Sequence, residues 1–129
     1  MNERTQIIYV VDDDEAMRDS MTWLLEGEGY DVACYDSAES YLQAWRDDMR
    51  GCLILDVRMP EMSGLELQEK LDSLGSQLPV IFVTGHGDVP MAVSALQRGA
   101  CDFIEKPFHN EDLLSRIVRA LELDCQLSA

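Results

Sequence analysis

The sequence predicts an α/β domain of the (βα)5 type, in which five parallel strands alternate with five helices. Two features of the 129-residue chain carry this prediction. Short, continuous apolar runs recur along it, and such runs are typical of strands buried on both faces of a parallel sheet. Between them lie segments whose apolar residues recur every three or four positions, as on one face of a helix. This alternation predicts a doubly wound sheet.

The five predicted strands differ in how apolar they are. Residues 7–11, 53–55 and 80–83 form apolar runs without a polar interruption. Residues 32–35 and 101–104 are less apolar, and we take them as the remaining two strands. Their order along the chain places one helical segment after each strand.

The helical segments are identified by their apolar faces and by residues that favour helix ends. Ser37 is a candidate N-cap of the second helix, and Gly75 ends the third. Pro90 lies near the first turn of the fourth helix, and Gly99 lies just beyond its end. The apolar faces comprise Met17, Met21, Leu24 and Leu25, then Tyr41, Leu42 and Trp45, then Leu65, Leu67, Leu71 and Leu74, then the segment 90–98, and finally Leu113, Leu114, Ile117, Val118 and Leu121.

The length suits one domain, which we place at residues 1–124. Residues from 124 onward lack periodicity, and we expect residues 125–129 to be a frayed tail or the start of a linker. We expect Trp23 and Trp45 to pack on helix faces. We also expect Cys34 and the other cysteines within apolar runs, Cys52 and Cys101, to be buried.

Composition excludes several classes of function. The formal net charge is −15, from 25 acidic and 10 basic residues, which argues against direct binding of DNA or RNA by this segment. No apolar run reaches the roughly 18 residues of a membrane span, and the first residues do not resemble a signal peptide. The four cysteines form no CxxC pair, so neither a zinc site nor a redox pair is indicated. Reduced thiols favour a cytoplasmic location.

Polar residues follow four of the predicted strands. Asp12 and Asp13 follow the first strand, Asp56 the third, Thr84 the fourth and Lys106 the fifth. In an open α/β sheet, ligands bind at the carboxyl ends of the strands. The three carboxylates, the hydroxyl and the ammonium group are therefore expected at one edge of the sheet.

Such a group of side chains suits phosphoryl transfer. Two carboxylates about 4 Å apart repel each other by roughly 4 kcal/mol at an effective dielectric near 20, so they favour a shared cation such as Mg²⁺. Acids at a helix N-terminus would explain Asp14 and Glu15 without a metal, but not Asp56 at the end of a buried strand. Thr84 and Lys106 can hold an anion beside Asp56, which would be the nucleophile of an aspartyl-phosphate mechanism.

Four motifs resemble the receiver domains of bacterial two-component response regulators, and they span nearly the whole chain. They are VDDDE at 11–15, LDVRMPEMSG at 55–64, VTGHGD at 83–88 and FIEKPF at 103–108. The segments TGHGDVPMAV and DFIEKPF are most similar to the FixJ type, whose members usually carry a C-terminal helix-turn-helix DNA-binding domain. The resemblance implies a five-stranded flavodoxin-like fold, as in CheY.

The resemblance also implies roles at the acidic edge. Asp56 would accept a phosphoryl group from a sensor histidine kinase. Asp13 and Asp56 would bind Mg²⁺ directly, together with the backbone carbonyl of Arg58, while Asp12 would act mainly through water.

Further roles follow for the neighbouring strands. Thr84 and Lys106 would contact the phosphoryl oxygens, and the Lys106–Pro107 peptide bond would be cis. Phe103 occupies the position at which the family has an aromatic switch residue. The ring would turn inward after Thr84 moves toward the phosphate, changing the surface of helix four, strand five and helix five. We therefore expect a phosphorylation-dependent homodimer through residues 89–119 and control of a transcriptional effector domain.

Other functions remain open on sequence alone. The chain can be a single-domain phosphorelay protein, a Mg²⁺-dependent phosphotransferase or phosphatase, or an interaction module that is never phosphorylated. Against an enzyme, the segment from Asp56 to Met59 lacks the second aspartate of the DxDxT motif of haloacid-dehalogenase-like enzymes. Against the module, the chain keeps the acid pair, the acceptor and the lysine. We therefore expect a switch that is not a turnover enzyme.

Overall fold

A computed structural model describes residues 6–127, and the predicted (βα)5 fold is confirmed. All neighbouring strands are parallel, and their order in the sheet is β2-β1-β3-β4-β5. A 3₁₀ turn, His86–Asp88, precedes the fourth helix. The elements are β1 Ile7–Val11, α1 Glu15–Gly27, β2 Asp31–Tyr35, α2 Ala38–Ala44, β3 Gly51–Asp56, α3 Gly64–Ser73, β4 Val80–Thr84, α4 Val89–Gln97, β5 Asp102–Glu105 and α5 Asn110–Leu127.

Helices cover both faces of the sheet and form two apolar layers. Because side chains alternate along a strand, each strand contributes to both layers. One layer packs α2, α3 and α4 against Tyr9, Val11, Leu53, Leu55 and Phe82. The other packs α1 and α5 against Ile8, Val10, Ile54, Ile81 and Val83. The central strands β3 and β4 are buried on both faces, which explains their uninterrupted apolar runs.

Local interactions at helix starts fix the turns that follow the strands. Asp14 caps α1, since its carboxylate accepts a hydrogen bond from the amide of Ala16 at 3.0 Å. Ser63 and Glu66 form a capping box at the start of α3, with N–O distances of 3.2 and 2.9 Å. The parallel pairing of β1 with β3 places the acidic pair and the end of β3 at the same edge of the sheet, and the caps fix where the helices begin after them.

The last helix extends further than the sequence predicts. Helix α5 continues to Leu127, so residues 125–127, which we expected in a frayed tail or linker, are helical. Asp124 is buried, and its Oδ2 accepts hydrogen bonds from Gln6 Nε2 at 2.9 Å, Arg50 Nε at 3.0 Å and the Gly51 amide at 3.0 Å. This carboxylate ties the end of α5 to the start of β3. Residues 128 and 129 of the expected tail lie outside the described residues.

Two burial predictions are wrong. Trp23 is 83% exposed, because the apolar stripe of α1 runs through Met21 and Leu25 and leaves Trp23 on the opposite side. Cys34 is exposed, because β2 is an edge strand with incomplete helical cover. Trp45 does pack against the core, and Cys52 is buried while Cys101 is only half-buried. Within residues 6–127, no helix combines the length and apolar character that crossing a membrane requires.

Candidate functional site

The site lies at the carboxyl edge of the sheet, where the strand order brings the polar residues together. Strands β1 and β3 are adjacent, so the acids that follow β1 lie beside Asp56 at the end of β3. Strand β4 ends at Thr84, and Lys106 directly follows β5, whose neighbour is β4. All the predicted site residues except Phe103, which lies within β5, are therefore at or just beyond a strand end.

Three carboxylates form a compact cluster. One oxygen from each of Asp12, Asp13 and Asp56 lies within 4.8 Å of the other two. Asp12 is buried, Asp56 is half-buried and Asp13 is exposed. Several hard oxygen donors at the open edge of the sheet suit a divalent cation that also keeps water ligands.

Main-chain groups hold two of these carboxylates in place. The amide of Asp14 donates to Asp12 Oδ1 at 2.9 Å, and the amide of Arg58 donates to Asp56 Oδ1 at 3.2 Å. The Arg18 side chain donates to the carbonyl of Asp12 at 2.7 Å. The turns after β1 and β3 thus orient the carboxylates toward each other.

Lys106 provides the positive charge of the site. Its Nζ lies 3.7 Å from Asp56 Oδ2 and 3.9 Å from Asp12 Oδ2. The main-chain amide of Lys106 donates to the carbonyl of Thr84 at 2.8 Å, which anchors the end of β5 to β4. The expected cis peptide bond between Lys106 and Pro107 is present.

The electrostatics of the site disfavour two full negative charges. Burial raises the pKa of Asp56 to about 6, the Asp12 carboxylate adds to this rise, and Lys106 opposes it. Burial also raises the pKa of Asp12, which is opposed by the hydrogen bond from the Asp14 amide and by Lys106. One ammonium group therefore compensates the acids only in part, and an additional cation would favour their ionised forms.

Thr84 and Phe103 lie near the site but have other contacts. The Thr84 side chain is buried, and its hydroxyl donates to the carbonyl of Gly85 at 3.3 Å. Phe103 is half-buried, lies opposite Phe82 in the β4–β5 register and packs against the layer that contains α4. The sequence predicted that Thr84 lies at the end of the fourth strand and Phe103 in the fifth, but not the bond between Thr84 and Gly85.

Sequence reasoning missed the role of the Arg58 side chain. Its Nε lies 2.6 Å from Asp88 Oδ1, and a second guanidinium nitrogen lies 3.7 Å from the sulfur of Met91. The resemblance assigned a role only to the Arg58 carbonyl. No sequence signal predicts this ion pair, because its partners lie on different loops.

Comparison with known proteins identifies the family. The profile of the response regulator receiver domain matches residues 8–118. The chain belongs to the response regulator receiver domain family. Receiver domains of this family act in two-component signalling.

Two curated relatives and one solved structure place this receiver domain near the FixJ type. It is 52% identical over 123 residues to the response regulator protein TmoT of Ectopseudomonas mendocina, covering 95% of this chain and 56% of the relative. It is 46% identical over 114 residues to the transcriptional regulatory protein FixJ of Bradyrhizobium diazoefficiens, covering 88% and 56%. The crystal structure of FixJ-N superimposes with a TM-score of 0.85 at 45% identity, covering 93% of this chain and 96% of that one. The receiver domain spans about half the length of these curated relatives.

Proposed function

We propose that this receiver domain is a phosphorylation-activated switch in which Asp56 accepts a phosphoryl group from a sensor histidine kinase. The observation that carries the proposal is the meeting of Asp56 with two further carboxylates and the Lys106 ammonium group at one sheet edge. This combination suits transfer chemistry in which positioning and charge neutralisation do most of the catalysis. The domain promotes its own phosphorylation and dephosphorylation and is not a turnover enzyme.

In the proposed transfer, an Asp56 carboxylate oxygen attacks the phosphorus of a phosphohistidine. The O–P bond forms as the P–N bond breaks, and the imidazole nitrogen leaves with the bonding electrons and takes a proton. Asp56 must be ionised to attack, although burial raises its pKa to about 6. Lys106 favours the ionised form and can then contact a phosphoryl oxygen.

The oxygen donors of the site fit Mg²⁺. Asp13 and Asp56 would bind it directly with the backbone carbonyl of Arg58, and Asp12 would act mainly through water. The spacing of the three carboxylates supports this assignment, because one oxygen of each lies within 4.8 Å of the others. When bound, Mg²⁺ supplies positive charge that neutralises the acids and the phosphoryl oxygens.

The proposed output begins at Thr84. Its hydroxyl donates to the Gly85 carbonyl, so recruitment to a phosphoryl oxygen requires this bond to break. We propose that Thr84 and the loop of residues 85–88 then move toward Asp56. Phe103 would turn into the space released beside Thr84. Burial of the half-exposed ring is worth at most about 1–3 kcal/mol, which is enough to bias two states. The face formed by α4, β5 and α5 would change with it.

We propose a homodimer through residues 89–119 as the consequence of this change. Sedimentation with and without Mg²⁺ and beryllofluoride, a phosphoryl mimic, tests the claim. We expect a monomer without the mimic and a dimer with it, and no mimic-induced dimer in the Thr84→Ala variant. An identical monomer under both conditions contradicts dimerisation, and a dimer of Thr84→Ala contradicts the route through Thr84.

The proposed partners are a sensor histidine kinase and, through a C-terminal helix-turn-helix domain of the kind that FixJ-type regulators usually carry, DNA. The name of FixJ as a transcriptional regulatory protein supports this output, and the acidic charge of the segment argues against DNA contacts of its own. The proposed location is the cytoplasm, without a membrane partner.

The acceptor is tested by incubating the protein with acetyl phosphate and Mg²⁺ and measuring the intact mass. We expect one labile phosphate on the parent and none on Asp56→Asn, a nearly isosteric variant. Steady turnover of acetyl phosphate far above the rate of label loss supports an enzyme instead. No adduct, even with a cognate kinase, supports an interaction module.

A further inference from the structure

The Arg58 side chain joins the loop after the acceptor to the start of α4. Its Nε lies 2.6 Å from Asp88 Oδ1, and its second contact is with Met91, within α4. The Asp88 side chain is only 13% exposed, whereas that of Arg58 is 69% exposed. The Asp88 carboxylate is thus largely shielded from solvent, and the guanidinium reaches it from the β3–α3 loop.

The loop that contains Asp88 also restrains Thr84. The carbonyl of Gly85 accepts the Thr84 hydroxyl at 3.3 Å and the Asp88 amide at 3.0 Å. The Gly85 carbonyl therefore binds both Thr84 and Asp88 within the loop, and the Arg58 side chain binds Asp88 from the β3–α3 loop. A hydroxyl used in this way must leave Gly85 before it can donate to a group on Asp56.

We propose that Arg58 and Asp88 form a latch that holds the Thr84 loop in its unphosphorylated position. The latch rests on the proposed role of Asp56 as phosphoryl acceptor. It adds a residue pair that determines how readily the Thr84 hydroxyl binds the phosphoryl group on Asp56. Arg58 and Asp88 are positioning residues here, because neither needs to touch the phosphoryl group through its side chain. Opening the latch releases the loop, while an intact latch opposes the switched state.

The latch is tested by the affinity of the full chain for beryllofluoride in saturating Mg²⁺, measured by ¹⁹F NMR. Asp88→Asn removes the charge but keeps the shape and the amide. We expect the apparent Kd to fall about threefold, because an ion pair with one solvent-exposed partner contributes only modestly. Arg58→Gln should act in the same direction.

A double-mutant cycle separates the pair from unrelated effects. The variant with both Arg58→Gln and Asp88→Asn should bind no more tightly than either single variant, since each change alone opens the latch. Arg46→Gln is the matched control, because it breaks an exposed ion pair with Asp48 away from the site. This control should leave the apparent Kd unchanged.

The route through Thr84 has its own readout. In a Thr84→Ala background, Asp88→Asn should no longer tighten binding, whereas a merely structural effect of Asp88 would persist. If the parent binds beryllofluoride and Asp88→Asn binds equally or more weakly, the latch is wrong and the acceptor site stands. If the parent binds none in the presence of Mg²⁺, the proposed function fails and the latch with it.

Discussion

Lys106 Nζ lies 3.7 Å from Asp56 Oδ2, although Asp56 ends β3, Lys106 follows β5, and β4 lies between these strands. The same ammonium group lies 3.9 Å from Asp12 Oδ2, so one charge serves two carboxylates. Burial and the Asp12 carboxylate outweigh it, and the pKa of Asp56 is raised from 3.8 to about 6. The fold therefore makes Asp56 harder to ionise than a free aspartate, and added positive charge would favour its ionised form.

This raised pKa predicts how the stability of the metal-free protein depends on pH. The folded protein holds the Asp56 proton more tightly than the unfolded chain does, so the stabilising contribution is complete below about pH 3.8. It is lost as the pH rises through about 6. As the pH rises over this range, the free energy of unfolding of the parent should fall relative to that of Asp56→Asn. Urea denaturation in EDTA measures both values. A difference that is constant with pH contradicts the prediction.

The acid cluster predicts that one carboxylate can be removed without loss of stability. Asp13→Ala should weaken Mg²⁺ binding by on the order of tenfold or more, because a ligand is lost. The metal-free variant should be as stable as the parent or more stable, because repulsion with Asp12 and Asp56 falls. Calorimetric titration and thermal unfolding measure the two effects.

Asp19→Ala is the control for this experiment, since Asp19 is an exposed acid of α1 and is not in the cluster. It should leave Mg²⁺ affinity close to that of the parent. A large loss of stability in metal-free Asp13→Ala would instead mean that the acid has a structural role.

The buried carboxylate of Asp124, at the opposite edge of the sheet from Asp56, has a structural role that can be measured. Asp124→Ala would leave Arg50 Nε and the amide of Gly51 without their shared acceptor. We expect a loss of about 3 kcal/mol in the free energy of unfolding, the lower end for a broken buried pair, because Arg50 can still reach water. Chemical denaturation measures it, and Glu122→Ala, an exposed change on the same helix, should stay within about 0.5 kcal/mol. Equal stabilities of the two variants would contradict this role.

The sequence predicted what depends on local pattern. Apolar runs predicted the strands, and the rule that ligands gather at strand ends predicted that Asp56 and Lys106 lie at one edge of the sheet. Asp124 escaped prediction because its partners lie near the start of β1 and β3, far away along the chain. The exposure of Trp23 was missed although the helical spacing indicates it, because residue 23 lies on the opposite side of α1 from Met21 and Leu25, which belong to the predicted apolar face.

The Arg58–Asp88 ion pair was not predicted because only folding brings the two residues together. The Arg58–Asp88 ion pair joins two loops, and no spacing rule relates a residue after β3 to one before α4. The same limit applies to the bond from the Thr84 hydroxyl to the Gly85 carbonyl, which no sequence pattern predicts. Residue type and strand position predicted where the chemistry lies, whereas side-chain partners required the three-dimensional arrangement.

The last prediction concerns Gly64, at the start of α3, which packs against the main chain of Asp56. A Cβ atom on Gly64 would overlap the main-chain oxygen of Asp56 and lie 3.1 Å from the ring of Phe82. The Gly64 amide also donates to the carbonyl of Val57 at 3.0 Å, so the helix cannot withdraw without losing this bond. Gly64→Ala should therefore lower the free energy of unfolding by about 1–3 kcal/mol, as for other overpacked sites.

The same change should slow phosphorylation by acetyl phosphate, because the clash falls on the main chain of Asp56, the proposed acceptor. Gly27→Ala is the matched control. Gly27 lies in the last turn of α1 with no atom near its Cβ position, so alanine should stabilise the helix by up to about 1 kcal/mol and leave the phosphorylation rate unchanged. Urea denaturation and intact-mass time courses measure both effects. If Gly64→Ala matches the parent in both, α3 tolerates displacement from β3, and close packing at Gly64 does not position Asp56.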